Sequence, residues 1–283
     1  MTNPATSPAT SPGTPTMADV LGDRRWLALT GAGVSTDSGI PDYRGPGAPV
    51  RAPMTGQQFR SGYVARQRYW ARAYLGWSTF GTVSPNATHT TLASLGAGGR
   101  VVGLITQNVD GLHTAAGSQD VVDLHGRLDR VICLDCSEIT GRAELQDRLA
   151  DLNPTFSADD VEVLPDGDVA LESTAGFVLA DCERCGGPLK PDVVFFGESV
   201  PPARVQRCTD LVDAAEALVV LGSSLHVYSG RRFVTQAHQR GIPIVVVNRG
   251  ETRGDPLATL KLDAGVAEVL AGYAAAQSLT PPR

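Results

Sequence analysis

The sequence predicts an α/β protein in which a doubly wound parallel sheet carries helices on both faces and is interrupted by a small inserted module. Three observations predict this architecture. Short apolar runs bounded by glycine or polar turns indicate strands buried on both faces. Helix-like stretches separate the later runs, and that alternation is typical of a parallel sheet. Residues 127–191 break the alternation, contain an acidic stretch and hold four of the five cysteines.

The elements follow in chain order. The apolar runs predict strands at residues 25–30, 100–106, 120–124, 192–196, 217–223 and 242–248. Helix-like stretches lie at residues 201–216 and 229–240, and residues 45–90 contain apolar and basic residues at helical spacing. The predicted organisation is a disordered tail (1–16), a sheet domain (17–126 and 192–273), the inserted module (127–191), a helical part of the small domain (45–90) and a flexible C-terminus (274–283).

The cysteines predict a metal site. Two C-x-x-C pairs, Cys133 with Cys136 and Cys182 with Cys185, lie in the inserted module. In a chain without a secretory leader such pairs indicate zinc rather than disulfides. Two pairs fill all four positions of a tetrahedral ion, so we expect one structural Zn²⁺ with no open position for catalysis. Cys208 is left over, and we expect it to be a buried small hydrophobic residue.

Charge and hydropathy exclude several classes of protein. The chain has 283 residues with 24 Lys and Arg against 30 Asp and Glu, a formal charge of −6. That balance argues against binding nucleic acid through bulk electrostatics, and a zinc module that binds nucleic acid would need a basic face, whereas this insert is acidic. No apolar run approaches the ~18–20 residues that span a bilayer. No basic region precedes an apolar one as in a secretory leader. We therefore expect a cytoplasmic protein.

The first predicted strand leads into a glycine-containing turn. Gly31 and Gly33 stand where a backbone approaches a diphosphate closely and offers its N–H groups, as in a Rossmann-like domain. A complete dinucleotide fingerprint would require glycine at the position of Thr36. The fingerprint is therefore incomplete, which disfavours a nicotinamide oxidoreductase. A tight strand-to-helix turn explains both glycines equally well.

Polar residues follow the second strand. Gln107, Asn108 and Asp110 come at its carboxyl end, where ligands bind in open parallel sheets. Asn and Asp are also common in ordinary turns. The sequence alone leaves both interpretations open.

Three further strand ends carry candidate residues. His125 could act as a general base because imidazole titrates near neutral pH, although a single histidine before glycine is more often structural. Residues 222–225 (GSSL) and 247–250 (VNRG) offer hydroxyl and backbone groups for ribose and phosphate oxygens.

In this order, the motifs resemble those of the sirtuins, the NAD-dependent protein lysine deacylases. The motifs are GAGVSTDSGIPDYRG, TQNVDGLH, LHG, CLDC with CERCGG, KPDVVFFGE, GSSL and VNRG, and the resemblance covers about residues 20–272. RQRYWAR (66–72), Tyr43 and the long insert between the cysteine pairs resemble the class II branch typified by mitochondrial sirtuin four.

The resemblance implies a Rossmann-like domain and a zinc domain, with NAD and an acyl-lysine protein substrate meeting in the cleft between them. The acyl oxygen would attack the ribose carbon that bears nicotinamide, which leaves an alkylimidate. His125 would then act as the general base that moves the acyl group onto ADP-ribose, with Asn108 and Asp110 beside it. The alternative activity is NAD-dependent mono-ADP-ribosyl transfer, which uses the same glycosidic cleavage. An NAD-sensing pseudo-enzyme is a further alternative, but the intact catalytic residues argue against it.

The resemblance also assigns binding residues. The nicotinamide and ribose pockets would be formed by Ala32, Gly33, Asp42, Tyr43, Arg44, Gln107, Asn108, Val109 and Asp110. Phosphate and adenosine contacts would come from Gly31, Gly222, Ser223, Ser224, Asn248, Arg249 and Gly250, and from the backbone of Val266. The substrate peptide would pair as an added strand with Val193, Val194, Phe195, Phe196 and Gly197.

Three features set this chain apart within the resemblance. Tyr69 and Arg72 are spaced to share a helix face, like the pair with which desuccinylating sirtuins bind an acidic acyl chain. Equally, Tyr69 could pack in the core with Arg72 at the surface, and the class II surroundings argue against a desuccinylase. Asn248-Arg249-Gly250 lacks the acid that many relatives place against the adenosine ribose, so a backbone or water contact is expected there. The acidic insert 137–181 is hypothesised to narrow or tune the acyl channel.

Overall fold

The structure, a computed structural model, describes residues 15–42, 53–157 and 174–278. The strands are β1 (Trp26–Thr30), β2 (Val101–Thr106), β3 (Val121–Asp123), β4 (Gly126–Cys133), β5 (Ile139–Gly141), β6 (Leu189–Val193), β7 (Ala217–Leu221), β8 (Ile244–Val247) and β9 (Leu260–Leu262). The helices are α1 (Met17–Leu21), α2 (Gly56–Arg60), α3 (Tyr63–Phe80), α4 (Ala87–Ala97), α5 (Leu112–Ala115), α6 (Arg142–Leu152), α7 (Pro202–Ala214), α8 (Tyr228–Gln239) and α9 (Val266–Ser278). No helix among these is long and apolar enough to cross a membrane.

The main sheet has six parallel strands in the order β3-β2-β1-β7-β8-β9. Its central strands are buried on both faces, which explains their continuous apolar sequence. In β1, Trp26 and Ala28 face the core covered by α1, α4 and α9, whereas Leu27 and Leu29 face the core covered by α7 and α8. The doubly wound fold predicted from the sequence is therefore confirmed.

The strand order places a ligand crevice at the centre of the sheet. β1 pairs with β2 on one side and with β7 on the other, so the chain order reverses direction at β1. In open α/β sheets, ligands bind outside the carboxyl ends of the strands at such a switch point. The loops that follow β1, β2, β7 and β8 are the ones that meet there.

A second, smaller sheet forms the small module. Its strands are antiparallel in the order β5-β4-β6. The helices α2, α3 and α6 supply the rest of its core, which includes Phe59, Trp70, Val131 and Leu145. By contrast, α4 packs against the main sheet and α9, although it begins inside the stretch 45–90 that was expected to be helical in the small domain.

The structure corrects one predicted strand and adds one that was not predicted. The run 192–196 does not form a parallel strand, because the strand ends at Val193 and pairs antiparallel with β4. The run is apolar because it lies between the two sheets, where Val193 packs with Leu128 and Phe80. The sequence analysis also missed β9, whose three residues pair with β8.

The predicted ends of the chain are partly corrected as well. Thr16 belongs to the folded part, because its hydroxyl accepts a hydrogen bond from the Asp19 N–H and caps α1. Residues 274–278, predicted to be flexible, continue α9. Residues 1–14 of the predicted tail and residues 279–283 lie outside the described residues.

Candidate active site

A cleft of about 920 Å³ opens at the carboxyl ends of the parallel strands, beside the small module. This volume lies within the range of small-molecule sites. Its lining includes the predicted residues Gly31, Ala32, Gly33, Asp42, Gln107, Asn108, Val109, Asp110, His125, Val194, Phe195, Phe196, Gly197, Gly222, Ser223, Ser224, Asn248, Arg249 and Gly250. Tyr43 and Arg44 lie outside the described residues.

The glycines after β1 are required by the packing of two loops. A Cβ atom on Gly33 would lie 2.9 Å from the Cα of Gly222, and one on Gly31 would lie 2.7 Å from the Cβ of Ser223. The loops after β1 and β7 therefore touch backbone to backbone. Both glycines therefore serve the packing of the two loops, and their own N–H groups donate to the Leu221 and Gly222 carbonyls.

A hydrogen-bond network fixes the polar residues after β2. The Asn108 amide donates to the Gly31 carbonyl at 3.1 Å and to the Ser35 hydroxyl at 3.0 Å. Ser35 in turn donates to an Asp110 carboxylate oxygen at 2.7 Å. The other Asp110 oxygen accepts from the Leu112 N–H at 2.9 Å. Asn108 and Asp110 are therefore held at fixed positions, with Ser35, which the sequence analysis did not single out, connecting them.

His125 has a defined tautomer. Its Nδ1 lies 2.9 Å from the Gln107 carbonyl oxygen, which can only accept, so Nδ1 carries the proton. Its Nε2 therefore carries no proton and is a hydrogen-bond acceptor, and the Ser229 hydroxyl donates to it at 2.7 Å. Burial lowers the pKa of His125, an effect that the Gln107 carbonyl partly opposes. The imidazole is thus neutral near pH 7, and its unprotonated Nε2 can accept a proton from a ligand in the cleft.

The loop of residues 194–198, here called the peptide loop, is already anchored within the chain. The Val194 N–H donates to the His125 carbonyl, and the Phe195 N–H donates to the Glu198 carboxylate at 3.0 Å. The Phe196 carbonyl accepts from the Gly56 N–H. These bonds leave fewer backbone groups for a substrate strand than the predicted free edge at Val193–Gly197 would offer.

An ion pair connects the peptide loop to the small module. The Lys190 ammonium lies 3.1 Å from the Glu198 carboxylate, and only 6% of the Lys190 side chain is exposed. Arg60 of α2 contacts the same carboxylate at 3.3 Å. Burial by itself would raise the pKa of Glu198, but the Phe195 N–H and the Lys190 charge hold it below its usual value. The sequence analysis quoted this motif without recognising the pair.

Two carboxylates that the sequence analysis did not assign lie near the loop after β8. Glu251 lines the cleft directly after Gly250. Asp263 accepts a hydrogen bond from the Gly250 N–H at 3.0 Å. A carboxylate is therefore present close to Asn248. It belongs to Glu251 or Asp263 and not to the Asn248-Arg249-Gly250 motif itself. Val266 is buried in the main core at the start of α9 and does not line the cleft with its side chain.

The structure does not place Tyr69 and Arg72 in the cleft. Tyr69 is 5% exposed and packs edge to face on Phe59 and Phe195, so the core alternative holds for this residue. Arg72 is half-buried and is not among the lining residues. A role of this pair in binding the acyl group stays a prediction. Of the insert, residues 158–173 lie outside the described residues, and Phe177 packs in the core of the small module.

The four predicted cysteines meet at one point. The Sγ atoms of Cys133 and Cys185 are 3.5 Å apart, those of Cys136 and Cys182 are 3.7 Å apart, and all four lie within 4.8 Å of one another. A tetrahedral ion with Zn–S bonds near 2.3 Å requires S···S distances of about 3.8 Å. The site fits Zn²⁺, and four thiolates close it. Cys208 is fully buried, as expected.

Comparisons with known proteins agree with this geometry. The Sir2 family model matches residues 31–229. "NAD-dependent protein deacetylase 1" of Mycobacterium avium (strain 104) is 53% identical over 263 residues, which are 91% of this chain and 93% of that protein. "NAD-dependent protein lipoamidase sirtuin-4, mitochondrial" of Bos taurus is 49% identical over 254 residues, 87% of this chain and 81% of that protein.

The fold comparison agrees with the sequence comparison. A solved structure described as "Sir2-p53 peptide-NAD+" has a TM-score of 0.74 and 30% identity, covering 93% of this chain and 97% of that chain. The family model covers the chain from the loop after β1 to the start of α8, which includes the small module, and the relatives cover 87% or more of the chain. This chain therefore belongs to the Sir2 family, the sirtuins.

Proposed function

We propose that this protein is an NAD-dependent protein lysine deacylase that moves an acyl group from a lysine side chain to ADP-ribose and releases nicotinamide. The observation that carries the proposal is His125, whose unprotonated Nε2 faces the cleft beside the fixed Asn108–Ser35–Asp110 network. Relatives at 49–54% identity are named deacetylases or a lipoamidase, which supports deacylation and not ADP-ribosyl transfer.

The residues of the cleft suit two substrates. NAD supplies a ribose carbon from which nicotinamide can leave and hydroxyl groups that can receive the acyl group. The loops after β1, β7 and β8 offer backbone N–H groups and hydroxyls for its phosphates and riboses. The peptide loop would hold the acyl-lysine segment from the opposite side. For Val266 we keep only the expected contact between its backbone and the adenine.

In this assignment His125 accepts a proton at Nε2 from a ribose hydroxyl. Its Nδ1–H stays bonded to the Gln107 carbonyl, so the ring keeps its orientation while it becomes charged. Asn108 and Asp110 hold the ribose and the acyl oxygen in a site sheltered from water. The substrate must displace the Ser229 hydroxyl from Nε2 before the transfer begins.

Zinc would have a structural role and would take no part in the acyl transfer. Its four thiolate ligands leave no position for substrate, so the ion stabilises the small module and, through it, the peptide loop. Thiolate ligands of this kind persist in a reducing compartment, and we place the protein in the cytoplasm for that reason.

The experiment compares acyl-dependent nicotinamide release by three enzymes. Purified protein is incubated with NAD and lysine peptides that carry acetyl, succinyl, glutaryl, methylglutaryl, lipoyl or long acyl groups. We expect release by the unaltered protein only with an acylated peptide, and none by His125→Ala. The matched control is His238→Ala, because His238 is exposed on α8 and does not line the cleft. Release without an acylated peptide would contradict the proposal.

A further inference from the structure

The cleft has a positively charged lip. Tyr228, the first residue of α8, is 63% exposed, and two guanidinium groups stack on its ring. Arg231 lies 5.8 Å and Arg232 lies 5.5 Å from the ring centroid. These three residues are called the cleft lip. Tyr228 and Arg232 line the same cleft as the peptide loop.

Within the described residues these arginines have no acidic partner of their own. The side chains of Arg231 and Arg232 make no ion pair or hydrogen bond there, whereas Arg204 and Arg207 on α7 and Arg240 at the end of α8 each contact an aspartate. The aromatic ring holds both guanidinium groups in place, which reduces the entropy that a ligand must overcome to bind them. The lip is thus a prepared anion-binding surface.

The peptide loop adds an exposed apolar side chain to the same cleft. Phe196 is 46% exposed and lines the cleft, as Tyr228 does. A substrate segment bound in this cleft would meet both the peptide loop and the start of α8. An acetyl-lysine carries no charge at the side-chain end, so in an acetylated segment the modified lysine itself gives the arginines nothing to bind. The charge they fit belongs to another residue of the same segment.

We propose that the cleft lip selects substrate segments that carry an aspartate or glutamate beside the acyl-lysine. The inference rests on the proposed deacylase function and names the substrate class of the same cleft. The chain as a whole is acidic, with a formal charge of −6, so a segment rich in acids is repelled elsewhere and favoured at this lip. The partial positive charge at the start of α8 acts in the same direction.

The test uses acetyl-lysine peptides that differ at one flanking position, which holds Glu, Gln or Lys. For each enzyme the readout is the ratio of kcat/KM for the Glu peptide to that for the Gln peptide, so that a general loss of activity cancels. For the unaltered protein we expect a ratio of about five at one or more positions, which falls as salt is added. In the double variant R231Q/R232Q the ratio falls to about one.

The matched control is R100Q/R207Q, which removes the same charge from two arginines that do not line the cleft. It should keep the preference. A ratio of one at every position in the unaltered protein would overturn the proposal. So would a double variant that keeps the ratio and instead raises the KM for NAD, because the arginines would then serve the NAD phosphates.

Peptide binding without NAD separates this proposal from the deacylase assignment. Fluorescence anisotropy gives the Kd of the same peptides for both enzymes. Tighter binding of the Glu peptide that disappears in R231Q/R232Q supports the lip even if no peptide is turned over. Equal binding of Glu and Gln peptides overturns the lip even if every peptide is deacylated.

Discussion

The replacement Glu198→Gln tests how the small module supports the peptide loop. In the folded protein the Glu198 carboxylate accepts from the Phe195 N–H at 3.0 Å and contacts the Lys190 ammonium at 3.1 Å. The amide keeps the shape of the side chain and removes its charge. Lys190 then stays buried beside the Val193 and Pro191 carbonyls and the ring of Phe195, and Asp192 is the acid that still acts on its charge.

The size of the effect follows from burial. Removing one partner of a fully buried ion pair costs roughly 3–5 kcal/mol. Here 19% of the Glu198 side chain is exposed and Lys190 keeps other contacts, so we expect a loss of about 2 kcal/mol in the free energy of unfolding. For a chain of this length, that loss lowers the Tm by about 3–4 °C. The weakened Phe195 N–H bond also loosens the peptide loop, which raises the KM for peptide about fivefold to tenfold.

The assay combines thermal unfolding with steady-state kinetics in both substrates. We expect the zinc content to be unchanged, because Glu198 contacts Phe195, Lys190 and Arg60 and not the four cysteines. Glu198 lines the cleft, so the KM for NAD is measured as well, and we expect the larger change in the KM for peptide because the carboxylate anchors the peptide loop. Asp23→Asn is the control: it removes one charge from the exposed Arg100–Asp23 pair, in which Asp23 is 68% exposed, and should cost less than about 1 kcal/mol.

The pH dependence of this stability has a definite sign. The pKa of Glu198 lies below its usual value in the folded protein, so the stabilisation is present above the unfolded pKa and is lost as the pH falls through the folded one. Glu198→Gln should remove this part of the pH dependence of the free energy of unfolding. An unchanged Tm and peptide KM would refute the reasoning. So would a Lys190→Met/Glu198→Gln cycle that shows no coupling between the two substitutions.

Three further predictions concern the zinc site, the base and the loop packing. Cys133→Ser should lose zinc, measured by atomic absorption, together with solubility, because the free energy of zinc binding contributes to folding of the small module. Full zinc occupancy in this variant would count against the site. Because burial lowers the pKa of His125 from 6.5, the acidic limb of kcat/KM should have its midpoint below pH 6.5, and a midpoint above that value would contradict the buried base. Gly33→Ala should raise the KM for NAD more than tenfold, since its Cβ would meet the Gly222 backbone at 2.9 Å; wild-type affinity would show that the loops part freely.

The sequence predicts the central sheet well because its signals are local. Runs such as Leu27–Leu29 and Val219–Leu221 are apolar since each strand is buried on both faces. The paired C-x-x-C motifs are equally direct, because two residues between thiols place both on one ion. The order of the motifs along the chain identifies the family.

The parts that the sequence did not predict depend on contacts between distant segments. Residues 192–196 look like one more buried strand, and only the pairing of β6 with β4 reveals that they end a different sheet. Tyr69 and Arg72 share a helix spacing, but Phe59 and Phe195 decide that Tyr69 faces the core. Ser35 and Ser229 carry no motif of their own; their roles exist only because the fold brings them to Asp110 and His125.

The measurement that tests the central claim most directly is the stoichiometry of the reaction. The protein is mixed with NAD and an acetyl-lysine peptide, and mass spectrometry follows nicotinamide, free lysine peptide and O-acetyl-ADP-ribose in one time course. We predict equal amounts of the three products from the unaltered protein and none from His125→Ala with its zinc retained. Nicotinamide formed while the peptide keeps its acetyl group, or free acetate formed in place of O-acetyl-ADP-ribose, would contradict the account.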